Sequence, residues 1–437
     1  MRKNLFKKVL ALTLASTMAF SMAGCGSKGG SSDAKNDDGT ITLNVWHQWS
    51  NDTNELKSKY EEAVKAYEKE NSGVKIKTET LDTEAYKTKI NAEFAGDAKG
   101  IDVFYWWGAG TAKKLVDAGK VMALDDYVTD DVKSKILEGS TSAFEFDGKL
   151  YSVPMFSWYM TLFCNKTMFD KAGATLPTTY DELVDAVKKL KKLDGVTPMA
   201  AGAKDGWNAA FVYQALALRE VGATGVNEML SGKKEFGDEG YTKAAEKVKD
   251  LYEMGAFGDN PLEQGNDDAN AAFENGKAAM RLMGSWFANN VYTDDAATIK
   301  PEEVVALKIP TIADGKGEAT DYCGGFVESF WVNNNTKYKE EAAKFCIYIN
   351  EKMGVASYET GSGFSGWTTP ADESNLNPLF IQIKDLLAEG KQGVLAWDTS
   401  LESEPAAVHN EQVQTLFADG ADIDAFIDEH KAAINGK

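Results

Sequence analysis

The sequence predicts an α/β fold, a mostly parallel sheet with helices on its faces, and three observations carry that prediction. Strand-like and helix-like periodicities alternate from Ile41 onward. The stretch Ile101-Asp-Val-Phe-Tyr-Trp-Trp-Gly-Ala-Gly110 is a short run of β-formers that ends in two indoles and small residues, as a buried strand does when it runs out into a loop. The chain has 437 residues, enough for two domains.

The first segment stands apart from the fold. Arg2, Lys3, Lys7 and Lys8 precede a short apolar run, Val9 to Phe20, which is too short for a stable membrane span. Ser21-Met22-Ala23-Gly24-Cys25 follows and resembles a bacterial lipobox, with methionine where leucine is commoner. Residues 1–24 are therefore expected to be a signal peptide and Cys25 the lipidated residue. Residues 25–40, rich in Gly, Ser, Lys and Asp, read as a flexible tether.

The elements then follow in order. Ile41 to Trp46 alternates as a strand and enters the polar loop His47-Gln48-Trp49-Ser50-Asn51-Asp52. Leu56, Tyr60, Ala63, Val64 and Tyr67 recur at helical spacing, so a helix spans Asn54 to Glu70. Val74 to Thr80 is a second strand, Tyr86 to Phe94 a helix, Val103 to Trp106 a third strand and Lys113 to Gly119 a helix. In open α/β sheets ligands bind outside the carboxyl ends of the strands. Trp46 and Trp106 would end neighbouring strands on that edge.

Phe144 to Val153 reads as a hairpin about Asp147-Gly148, and Pro154 breaks it. Met160 to Asn165 is a strand and Lys166 to Gly173 a short helix. Thr179 and Glu182 have capping-box spacing before a stripe of Leu183, Val187 and Leu190. Helices are expected at Asn208 to Arg219, Tyr241 to Met254 and Asn266 to Asn275, the last closed by Gly276. Ala278 to Met283 is a buried strand that points Trp286 into a loop, and Phe326 to Val332 is a strand with Trp331 inside it. Helices at Tyr338 to Met353, Leu379 to Glu389 and Ile423 to Ile434 complete the chain.

Composition narrows the function. A formal net charge of −20 argues against nucleic acid or anionic lipid as the partner. Removing residues 1–24 would take away four basic residues and no acidic one, leaving the chain more acidic still. Beyond Cys25 the cysteines are Cys164, Cys323 and Cys346, so at most one disulfide can form. His47, His409 and His430 are far apart, no cysteine has metal-ligand spacing, and neither a metal nor a cofactor is expected. There is no serine–histidine–acid set and no phosphate-cradling glycine loop, which points away from an enzyme. With 67 acidic residues, a glycosidase pair of carboxylates stays open as an alternative.

Several segments together resemble a known family. They are Gly148-Lys-Leu-Tyr-Ser-Val-Pro154, Asn165-Lys166, Pro177-Thr-Thr-Tyr-Asp-Glu182, Ala271-Ala-Phe-Glu-Asn-Gly-Lys-Ala-Ala-Met280 with Gly284-Ser-Trp286, Lys308-Ile-Pro310, Gly324-Gly325 and Glu341-Ala-Ala-Lys-Phe345. Their order and spacing resemble the bacterial extracellular solute-binding proteins, family 1, the sugar-binding lipoproteins of ABC importers similar to the maltose-binding protein group. The resemblance implies a two-lobe periplasmic-binding-protein-like fold of type II with a hinge. Residues 41–154 and 310–354 would form the N-terminal lobe, and residues 155–309 and 355–437 the C-terminal lobe. It further implies a monomer, lipid-anchored to the outer face of the cytoplasmic membrane, that binds a sugar or oligosaccharide and delivers it to an ABC permease.

Indole faces suit the apolar faces of sugar rings, although large aromatics serve core packing as readily. Trp106 and Trp286 match family positions that stack on sugar. Trp46, Tyr159 and Trp107 come next, then Trp158, Trp367 and Trp397. Fixed polar groups are also needed, and His47, Gln48, Asn51, Glu328 and Asp398 are the candidates, Asp398 standing beside Trp397. A secreted glycoside hydrolase, or a binder of a non-sugar solute in the same fold, remains the alternative.

Overall fold

The computed structural model describes residues 39–51, 54–293 and 297–436. The expected signal peptide, Cys25 and the tether up to residue 38 lie outside them. Three parallel strands open the sheet: β1 (Ile41–His47) pairs with β2 (Val74–Thr80) on one side and β3 (Val103–Trp107) on the other. The connecting helices are α1 (Glu55–Glu70) and α2 (Thr83–Ala95), capped by the Asn54 and Asp82 side chains. Leu56, Tyr60, Ala63 and Tyr67 form the buried stripe of α1, as their spacing requires.

The next helix, α3 (Ala109–Asp117), begins earlier than expected. Gly108 and Gly110 read as loop residues in the sequence, but here they permit close approach. A Cβ on Gly108 would lie 2.4 Å from the Ala143 carbonyl oxygen, and one on Gly110 2.2 Å from that of Leu401.

A small helix, α4 (Asp130–Lys135), leads to the hairpin of β4 (Glu145–Phe146) and β5 (Lys149–Leu150), turned by Asp147 and Gly148 at φ of 50° and 74°. The long strand β6 (Phe156–Asn165) starts ahead of the expected Met160 and takes Trp158 and Tyr159 into the sheet. The following α5 (Lys166–Ala172) ends on Gly173 at φ 62°. The expected capping box holds α6 (Tyr180–Leu190). Next come β7 (Thr197–Ala200) and α7 (Gly206–Leu230), which outruns its expected end at Arg219 by kinking at Gly222. The chain continues through α8 (Glu239–Glu253), α9 (Asn266–Glu274), β8 (Ala278–Gly284), α10 (Phe287–Thr293) and β9 (Val304–Leu307). The second long strand, β10 (Asp321–Val332), is followed by α11 (Lys339–Glu359), β11 (Phe364–Ser365), α12 (Pro378–Ala388) and β12 (Gln392–Val394). Three helices close the chain: α13 (Trp397–Ser400), α14 (Ser403–Thr415) and α15 (Ile423–Asn435).

The strands join in the order β2-β1-β3-β10-β6-β8-β7, with β9 and β11 on β6 and β12 on β10. β7 runs parallel to β8 and β12 to β10, whereas β10 and β6 run against β3, β8 and each other. Helices cover a large sheet, so the fold is α/β as expected, but the sheet is mixed rather than mostly parallel, because β6 and β10 run against their neighbours β3, β8, β9 and β11.

Two hydrophobic cores flank the crossing strands. One gathers Ile41 to Phe156, Phe330 to Met353 and Trp367. The other gathers Trp158 to Ile309, Cys323 and Leu379 to Ile427. β6 leaves the first core between Phe156 and Trp158. β10 returns to it between Cys323 and Phe330, beyond Pro310. The buried Arg219 guanidinium explains the later return: it donates to the carbonyls of Ile309, Glu318 and Asp321 and so keeps that segment on the second core. The β10 passage is marked by Gly324 and Gly325 at φ 135° and 150°, and by a register shift between Phe326 and Glu328.

Cys164, Cys323 and Cys346 are buried and unpaired, and burial pushes each thiol pKa up. Among the described residues no helix is long and apolar enough to cross a membrane.

Candidate functional site

The two cores approach each other where β3 ends. Side chains alternate along a strand, so Tyr105 and Trp107 share one face of β3 and Trp106 takes the other. Trp107 is half-buried, its ring 5.2 Å from Tyr105. Opposite it in the antiparallel pairing stands Glu328 of β10. The Glu328 carboxyl is buried, and burial pushes its pKa up to about 7. The Tyr105 phenol, the Trp107 indole N–H and the Lys87 ammonium pull in the other direction.

Lys87 comes from α2 and pairs with Glu84 at 3.1 Å. Its Nζ lies 5.2 Å from the Trp107 ring centre and 5.7 Å from that of Trp207. Trp107 packs on the first core and Trp207 on the second, so one ammonium stands between indoles from both.

The second wall is an aromatic stack. Trp207, in the first turn of α7, meets Phe211 edge-on at 5.3 Å. Phe211 stacks on Trp158 at 5.3 Å, and Trp158 meets Trp286 edge-on at 5.1 Å. Trp286 is half-buried and folds back over Gly284, where a Cβ would lie 2.0 Å from its ring. Asp398 opens α13. Burial raises its pKa, while the Lys87 charge and hydrogen bonds from Thr399 and Asn410 oppose the rise.

Contact between the cores continues alongside. Thr111 Oγ1 of α3 donates to the Asp398 and Thr399 carbonyls at 3.4 and 3.2 Å. Around these walls three buried polar atoms lack a hydrogen-bond partner: Trp207 Nε1, Ser400 Oγ and Asn410 Oδ1. Each such atom costs roughly 1–3 kcal/mol while unpaired.

The structure thus brings Trp107, Glu328, Asp398 and Trp286 toward one region. Most other candidates lie elsewhere. Trp106 is 4% exposed, packed in the first core with its N–H toward the Thr111 carbonyl at 3.5 Å. Trp46 is buried beneath Lys89, whose Nζ is 4.5 Å from the ring centre. His47 is enclosed by Trp49 and Tyr60, and burial lowers its pKa to about 3. Gln48 is partly buried with Oε1 unpaired, and Asn51 is exposed.

Tyr159 packs between Tyr322 and Phe364 and lines a separate cavity of about 40 Å³. Trp158, in the second wall, is inside a strand and buried behind Phe211 and Trp286. Trp367 sits in the first core, donating to the Pro154 carbonyl at 2.7 Å. Trp397 is interior to the second core, stacked on His409 at 4.9 Å. Trp46, Trp106 and Trp397 are therefore packing residues, turned inward by the strands and helix that carry them, and so is Trp367, held by an isolated bridge to Ile136 and its hydrogen bond to Pro154.

Lys87, Tyr105, Trp207 and Asn410 are the residues that sequence reasoning passed over. Trp207 gave no usable signal, since the strand before it, β7, spans only Thr197–Ala200 and Trp207 itself lies in the first turn of α7. Among the described residues no group of His, Cys, Asp and Glu could hold a metal ion.

Known proteins resemble this chain in sequence and in fold. The sequence model of the bacterial extracellular solute-binding proteins matches residues 50–355. A multiple sugar-binding protein of Streptococcus mutans is 24% identical over 368 residues, 81% of this chain and 80% of that protein. A putative binding protein of Brucella abortus is 26% identical over 307 residues, 70% of this chain and 71% of its own length. A structure from work on xylan utilization by Caldanaerobius polysaccharolyticus superposes with a TM-score of 0.85 at 36% identity, over 90% of this chain and 99% of that one. A chitin oligosaccharide binding protein shares the fold, with a TM-score of 0.81 at 22% identity over 91% and 98% of the two chains.

Proposed function

The chain belongs to the bacterial extracellular solute-binding proteins, and from that premise we propose that it captures an oligosaccharide between its two cores and delivers it to an ABC permease. The observation that carries this reading is the pair Trp107 and Trp207, indoles from different cores on either side of one ammonium. A sugar ring would lie against these faces and against Trp286. Its hydroxyls would pair with Tyr105, Glu328, Asp398 and Asn410, relieving the unpaired Asn410 Oδ1 among them. Relatives named for sugar binding and a neighbour from xylan utilization support a carbohydrate over a charged solute.

Each core would act as a lobe, with β6 and β10 as the hinge strands and ligand drawing the lobes together. The protein would work as a monomer, held on the outer face of the cytoplasmic membrane by a lipid on Cys25. It would bind reversibly and without catalysis.

Calorimetry with xylotriose, chitotriose, mannotriose and maltotriose tests the reading. At least one should bind and change tryptophan fluorescence, and none should yield new reducing ends on incubation. Trp107→Ala and Trp207→Ala should each weaken that binding roughly tenfold, which is about 1.4 kcal/mol. Unchanged affinity in both variants would remove the stacking model.

A further inference from the structure

β8 carries a charged side chain into the interior. Arg281 is 1% exposed, and all five of its N–H groups have acceptors, none of them a carboxylate. Nε donates to Asn270 Oδ1 at 3.1 Å. One terminal nitrogen donates to the Ala200 and Ala201 carbonyls, both at 3.2 Å. The other donates to Asn208 Oδ1 at 2.8 Å and Asn266 Oδ1 at 3.1 Å.

Burying a cation is costly, and burial lowers the pKa of this guanidinium to about 9 although the charges of Glu274, Asp205 and Asp267 oppose the fall. An aliphatic residue would fill the space more cheaply. What the aliphatic residue could not do is tie together the end of β7, the first turn of α7 and the start of α9. Trp207 sits in the middle of that set, directly before Asn208. The same segment is held from its other side by Gln414, whose Nε2 donates to the Ala203 and Lys204 carbonyls at 2.9 Å each. Asp205 accepts from the Asn266 amide at 2.6 Å.

We propose that Arg281 is a positioning residue for ligand binding: its planar fork fixes the segment 200–208 so that Trp207 presents its indole to the slot opposite Trp107. The inference rests on the reading of Trp207 as a stacking residue. A lysine keeps the charge but cannot reach acceptors on several segments at once.

The test is a double-mutant cycle in the full chain, read by calorimetry with whichever of the four trisaccharides the wild type binds tightest. Arg281→Lys should weaken binding at least tenfold. Combined with Trp207→Ala, it should add no more than a factor of two beyond Trp207→Ala alone. Full additivity would overturn the positioning role, whereas an inert Trp207→Ala would overturn the stacking reading itself. Amide hydrogen exchange gives a readout free of ligand. In Arg281→Lys, exchange at residues 201–208 should quicken at least tenfold while α8 stays unchanged, and no change there overturns the proposal. If Arg281→Lys fails to fold, Asn208→Ala, which removes one anchor beside Trp207, takes its place in the same cycle.

Discussion

Glu328 combines burial, a titratable group and a place where the two cores meet. Its folded pKa of about 7 stands above the ordinary 4.5, so between those values the native state holds a proton that the unfolded chain has released. Stability from this residue therefore falls as pH rises through that window, by on the order of 3 kcal/mol above pH 7. Glu328→Gln should raise the urea midpoint at pH 8, leave it nearly unchanged at pH 5, and weaken trisaccharide binding. A variant that gained stability at neither pH would contradict this assignment. The residue scale is also where the sequence was least legible. Val103 to Trp107 is apolar throughout, with no alternation to show which face is the interior. Which of Trp106 and Trp107 faces outward then turns on a one-residue difference in strand phase, and Trp107 is the outward one.

At the scale of elements, three helices are joined by a buried polar relay. His430 Nδ1 lies 2.8 Å from the Phe426 carbonyl, so it must carry a proton there. His430 Nε2 is then an acceptor, taking the proton of His409 Nδ1 at 2.9 Å, and His409 Nε2 accepts from Gln214 at 3.0 Å. The relay joins α7, α14 and α15 with both rings neutral. Burial lowers the pKa of His430 to about 4 and that of His409 well below its ordinary value. Both depressed values lie below the unfolded 6.5, so their contribution is complete above pH 6.5 and is lost as pH falls toward 4. The urea midpoint should drop across that interval, and His430→Phe should flatten the drop by about 1.4 kcal/mol per pH unit at most. Elements with strong local signals, such as α1, β2 and the capping box of α6, were legible in the sequence. α14 was not, because its buried face is Ala406, His409 and Val413, and a buried histidine reads as polar. β7, β9, β11 and β12 are too short for periodicity to appear.

On the scale of the whole molecule, the two cores share one sheet through β6 and β10 and touch again where α3 meets α13. Gly110 sets how closely they approach, since a Cβ there would strike the Leu401 carbonyl oxygen. Gly110→Ala should hold the cores apart. Small-angle scattering should show a larger radius of gyration with saturating trisaccharide than wild type gives, and affinity should fall at least tenfold with little change in urea midpoint. Equal radii and affinities would mean that this seam does not govern closure. No local pattern disclosed that the chain passes between cores more than once. Periodicity reports which face of an element is buried, not which core receives it, so the discontinuity came from the family resemblance alone.

The interior position of Cys164, Cys323 and Cys346 has a practical consequence. Shielded thiols with raised pKa values are poor nucleophiles toward maleimides. In a chain shortened to begin after Cys25, a cysteine placed at exposed Glu402, beside the α3 seam, would be the reactive handle for an environment-sensitive dye. Such a conjugate would convert sugar capture into a colour change, a reagentless sensor built without first removing native thiols.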